Sequence, residues 1–190
     1  MKSSGSGSFK TGVFLSLIVI LMAAAGWQAS RGDDDGEALW SRGPEVVPVT
    51  NARYEEECGG CHLAYSPGLL PARSWRRIMG GLEDHFGDNA ELEPALQAEL
   101  TDYLARNSAD NSNYRRSRKI MRSLGAKQAP LRIIDIPYIK KEHDELSPRH
   151  LERNPKVLSL SQCDACHTRA AEGSFREREI HIPGFGRWDD

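Results

Sequence analysis

Two five-residue stretches, CGGCH at Cys58–His62 and CDACH at Cys163–His167, use every cysteine in this chain of 190 residues. Four cysteines in pairs are compatible with a disulfide framework, with a four-thiolate zinc site, or with thioredoxin-like redox chemistry. None of these requires a histidine at the same offset in both copies. Covalent c-type haem does: two thiols at this spacing add to the two vinyl groups on one edge of a porphyrin, and the adjoining imidazole reaches the iron from one face. The repeated pattern predicts two haem c groups, attached through Cys58 and Cys61 and through Cys163 and Cys166. His62 and His167 are the expected proximal ligands.

The N-terminus bears on whether cysteines meet an oxidising compartment. Lys2 and Lys10 precede the apolar run Val13 to Ala25. A run of roughly 10–14 apolar residues suits the core of a signal peptide better than a full span of about 20. Ala23 to Ala25 and Trp27 to Ala29 both offer small residues for cleavage, and an uncleaved N-terminal anchor is the competing expectation. In either case the rest of the chain is exported, which predicts a periplasmic location. The stretch from Arg31 to Pro48 is acidic, rich in Gly and Pro and without periodicity, as a linker would be. The expected organisation is therefore a leader or anchor over 1–29, a linker over 30–50, a first haem domain over 51–110 and a second over 111–190. With 39% hydrophobic and 27% charged residues the full chain has an ordinary globular composition. A net charge of −2 leaves no basic excess for nucleic acid.

The remaining axial ligands come from His85, His143, His150 and His181, or from Met79 and Met121. An axial Met would raise the reduction potential relative to His. Ser74 is placed to cap a helix with Trp75, Ile78, Met79, Leu82 and Phe86 on one face. Met79 lies in the middle of that stripe as core filler would, and His85 lies at its edge. A second helix over 91–107 carries Leu92, Leu96, Leu100 and Tyr103 along one side. A basic run at Arg115, Arg116, Arg118 and Lys119 reads by default as a solvated face, with partner docking or cover for haem propionates as the functional alternative. Ile133 to Ile139 predicts an extended segment leading to a short helix that bears His143. His150 sits in a charged stretch expected at the surface. His181 belongs to an end segment expected to be extended and partly frayed. Gly173 is expected to end a helix running through CDACHTRAAEG.

The blocks YEEECGGCHLAYSPGLLPARSWRRIMGGLEDHFG, LRIIDIPYIKKEHDEL, VLSLSQCDACHTRAAEGSF and IHIP together resemble the dihaem cytochrome c family of small exported bacterial electron carriers. The resemblance implies a mainly α fold, with an N-terminal haem domain like a class I cytochrome c and a loop-rich, irregular C-terminal haem domain. It also implies bis-histidine ligation, with His85 completing the first iron and His143 the second. Saturated irons imply a low-potential electron carrier and not an enzyme. The implied partners are other redox proteins, among them a monohaem c-type cytochrome or a membrane quinol/cytochrome complex. Two rivals stand beside this reading. One is a haem enzyme or gas-binding protein with one open iron, and the other is a membrane-tethered haem subunit of a respiratory complex.

Overall fold

Asn51 starts the first helix, its side-chain oxygen accepting the Tyr54 N–H at 3.0 Å and so satisfying one of the donors that a helix N-terminus leaves over. In the computed structural model, which describes residues 43–188, this helix is α1, Ala52–Cys58. It is followed by α2 (Ala72–Met79), α3 (Pro94–Arg106), α4 (Arg115–Ser123), α5 (Pro137–Lys141) and α6 (Cys163–Cys166), with 3-10 turns between them. A two-residue antiparallel hairpin follows, β1 (His181–Ile182) with β2 (Gly186–Arg187), so the fold is mainly helical with little sheet. The described residues fall within one compact unit, Ser41–Asp190, which contains both stretches expected to carry haem. The leader or anchor expected over 1–29 lies outside the described residues. Among those described, no helix is long and apolar enough to cross a membrane.

The core is built where α2 packs on α3. Leu100 and Leu104 of α3 are fully buried against Leu70, Trp75 and Met79, with Ile120 and Ile136 closing the far side. Pro94 occupies the first turn of α3, and the Glu93 carboxylate accepts from Ala95 N–H at 3.0 Å and Leu96 N–H at 3.3 Å. This helix is three residues shorter at its start than the 91–107 expected. The α2 helix differs more. It begins after Pro71, with the Ala72 N–H donating to Asp110 Oδ1 at 2.9 Å, so Ser74 is a buried residue inside the helix and not its cap. It also stops at Gly80, because adjacent glycines at 80 and 81 interrupt the stripe where helix propensity is lowest. Leu82 still reaches the core from a 3-10 turn, while Phe86 is turned outward with φ +61°.

The second half is held by turns and polar contacts more than by long helices. Residues 43–50, at the end of the expected linker, are packed: Val46 is fully buried, and Glu45 N–H and Val46 N–H both donate to Gly173 O. Gly173 has φ +75°, and a Cβ there would sit 2.8 Å from the Val46 carbonyl oxygen, so the position demands glycine twice over. It ends a 3-10 turn, Ala170–Glu172, that is separate from the four-residue α6, instead of one continuous helix. The basic run is not simply solvated. Arg115 and Arg116 of α4 lie 3.1 and 3.2 Å from the Glu45 carboxylate, which is 6% exposed. Phe175 N–H donates to the same carboxylate at 3.0 Å.

Two expectations for the C-terminal region are corrected. His150 is buried, not at the surface, because Phe185 and Trp188 pack their rings edge-on against it at 4.7 and 5.7 Å. The end segment is not frayed through Trp188: Ile182 is buried and pairs with Gly186, which anchors the hairpin.

Burial alone would raise the Glu45 carboxyl, but Arg116, the Phe175 N–H and Arg115 together hold it below the ordinary 4.5. A depressed folded-state pKa adds stability above the unfolded value that is lost as pH falls through the folded value. Glu45→Gln is therefore expected to cost about 3 kcal/mol at pH 7, as removal of one partner from a buried ion pair does. Denaturant titration should show the gap to the unsubstituted protein narrowing as pH drops below 4.5.

Candidate functional site

The helix α1 ends on Cys58, which delivers the first CxxCH to a turn at the helix C-terminus. Gly59 is required there because a Cβ would lie 2.3 Å from the Glu55 carbonyl oxygen. Cys58 is half-buried, and Cys61 and His62 are exposed. The His62 Nδ1 lies 2.8 Å from the Leu63 carbonyl oxygen, so with Nδ1–H donating, Nε2 is free to bind a metal. Opposite it stands His85. A paired bridge fixes the loop, with His85 N–H donating to Asp88 O at 2.7 Å and Asp88 N–H returning to His85 O at 3.3 Å. The two imidazole centres are 6.2 Å apart and their planes 28° apart. Met79, the thioether alternative, is buried in the core.

The second motif forms α6, and His167 follows it directly, its N–H donating to Cys163 O at 2.8 Å. His143 lies just past α5, with Nδ1 2.8 Å from Ile139 O. These two imidazole centres are 6.0 Å apart with planes at 75°. Phe175 packs edge-on against His167 at 5.2 Å. His150 and His181 are in neither pair: Ser147 N–H and Arg149 Nε–H point at the two ring nitrogens of His150, at 3.3 and 3.1 Å, and His181 is exposed on β1.

These spacings test whether the residues fit a haem. A ring nitrogen binds a transition metal at about 2 Å and the ring centre lies about 1 Å farther out, so imidazoles on opposite faces of one metal have centres about 6 Å apart. Both pairs match. Among the described residues no group of three or more His, Cys, Asp or Glu side chains could hold a metal ion. A bare ion would thus lack ligands, whereas a porphyrin brings its own ring of nitrogens. The Nδ1 of His167 is buried without a partner, an orphan polar atom in the wall of the second site.

The acid–base character of the site points the same way. Burial, then the neighbouring His143 and Arg116, lowers His167 to about 4. Burial and the facing His62 likewise lower His85. The His167 ring is therefore neutral at pH 7, as a metal ligand must be. Burial pushes Cys58 and Cys163 up to about 11, with Glu57 and Asp164 adding to the effect. That is the reverse of the thiolate-favouring setting of a redox CxxC pair. None of the four cysteines is joined in a disulfide.

A cavity of about 630 Å³ lies between the two attachment segments, within the range of roughly 300–1,000 Å³ common for ligand pockets. Cys61 and His62 line it from one segment, Gln162 and Asp164 from the other. Sequence reasoning passed over two residues that shape these sites, Tyr65 and Phe175. An aromatic three positions after the motif histidine is a signal for the first; nothing local marks the second.

The family model described as dihaem cytochrome c matches residues 54–175. The crystal structure of a dihaem cytochrome type c from Shewanella baltica OS155 is similar at 42% identity and a TM-score of 0.61, over 73% of this chain and 98% of that one. A dihaem cytochrome c from Rhodobacter sphaeroides is similar at 42% identity and a TM-score of 0.61, over 68% of this chain and all of the other. No curated protein matches. Replacing Cys163 and Cys166 together by Ser is expected to reduce covalent haem from two to one per chain in cells with the attachment machinery, read as pyridine haemochrome per protein.

Proposed function

Because the chain belongs to the dihaem cytochrome c family, an electron-transfer haem family, we propose that it is a low-potential periplasmic carrier with two bis-histidine haems. The first of its two covalently bound haem c groups is assigned His62 and His85 as axial ligands, and the second His167 and His143. The observation that carries this reading is the pair of facing imidazoles, 6.2 and 6.0 Å between centres. When bound, the haems supply iron that accepts and releases one electron.

The chain's own residues do the rest. The four thiols would tether the haems, and the four histidines would ligate the irons and leave no position for substrate. Donation from Nδ1 of His62 to Leu63 O and of His143 to Ile139 O fixes the tautomer of each ring and raises its basicity. A more basic ligand favours the ferric state and so a low potential. The exposed Cys61 and His62 leave the first centre open to the surface, where an electron can pass to another redox protein, such as a monohaem c-type cytochrome or a membrane quinol/cytochrome complex.

His85→Ala or His143→Ala is expected to turn about half of the low-spin haem high-spin and able to bind carbon monoxide, with both haems still attached. His150→Ala and His181→Ala are expected to leave the visible spectrum low-spin. A carbon monoxide response in the unsubstituted protein would instead support an open iron and an enzyme or gas-binding role.

A further inference from the structure

One side chain links the two attachment segments. Tyr65 stacks on the His62 imidazole, with ring centres 4.8 Å apart and planes 23° apart. Its hydroxyl donates to the backbone carbonyl of Ser161, in the segment that leads into the second motif. The Cys163 Sγ lies 4.0 Å from that same carbonyl oxygen. The Tyr65 backbone is itself fixed, because Tyr54 OH donates to its carbonyl at 2.8 Å.

A tyrosine that only filled space here could satisfy its hydroxyl on any nearby acceptor. This one reaches across the gap between the two attachment segments. The contacts run from an imidazole, through an aromatic ring and a hydrogen bond, to the segment two residues before Cys163. We propose that Tyr65 is a positioning residue that couples the two centres: its ring sets the plane of His62, and its hydroxyl bridges to the second attachment segment. The inference rests on the reading of His62 as an axial ligand. One electron leaves the donor iron and arrives at the acceptor iron, and Tyr65 keeps its proton and its closed shell throughout.

The two centres can be followed separately, because near-parallel imidazoles at 28° and near-perpendicular ones at 75° split the iron orbitals differently and give distinct low-spin EPR signals. The test uses the protein with both haems attached, as Tyr65→Phe and Tyr65→Leu. Tyr65→Phe keeps the stack and removes the bridge. It should leave the EPR of the first centre unchanged, speed amide exchange over residues 161–167 about fivefold, the value of one lost hydrogen bond, and slow electron equilibration between the centres after pulsed reduction. Tyr65→Leu removes both and should in addition shift the first-centre EPR signal while leaving the second in place. Equilibration in Tyr65→Phe at the unsubstituted rate overturns the bridge, and an unshifted first-centre signal in Tyr65→Leu overturns the plane-setting role. Should the leucine variant not fold, Tyr65→Phe decides alone. Failure of the ligation reading is separate, since it would appear as a high-spin signal in the unsubstituted protein or as loss of low spin in His150→Ala or His181→Ala.

Discussion

Glu45 joins three parts of the chain that are far apart in sequence. Its carboxylate takes Arg115 and Arg116 from α4 and the N–H of Phe175 from the C-terminal region, while its own backbone N–H donates to Gly173. Burying a carboxylate is unfavourable unless every lone pair is used, and here guanidinium groups and a backbone donor use them. The second site depends on this knot. Phe175 packs on His167, and Arg116 reaches on to Tyr138 and Glu142, in the turn of chain that leads to His143. A single buried acid thus holds the walls between which the second pair of imidazoles faces.

The two halves of the fold solve the same problem with different means. The first places its attachment turn at the end of a capped helix and backs it with α2 packed on α3, whose leucines and Trp75 form a conventional apolar core. The second has helices of only four and five residues around its site, too short to be stable by themselves. Polar ties do there what apolar packing does in the first half. Two covalently attached haems also bring large flat apolar surfaces, which suits a chain whose second half has little secondary structure of its own.

Chemistry that needs neighbouring residues was legible in the sequence, and chemistry that needs distant ones was not. Both CxxCH motifs could be read at once, since the two vinyl groups and the iron fix the spacing. The apolar side of α3 was legible from Leu96, Leu100 and Tyr103, but its start was not, because Glu93 caps in a place where Ser, Thr, Asp or Asn is the usual signal. The α2 stripe suggested a helix through Phe86, and two glycines ended it early. His85 and His143 carry no local signature that separates them from Met79, His150 or His181, and their choice came through family resemblance. The Glu45 knot was invisible: an acid followed by Val-Val-Pro in an acidic, Gly- and Pro-rich stretch reads as linker until residues 115, 116 and 175 are brought to it.

The burial of His150 bears on how such a chain avoids errors. A polypeptide with six histidines offers a newly tethered iron more imidazoles than it can use. With Phe185 and Trp188 packed against it, and with whichever ring nitrogen lacks the proton accepting from Ser147 or Arg149, His150 presents no free lone pair to a competitor iron. The small C-terminal hairpin therefore does more than tidy the end of the chain: it withdraws a rival base from circulation.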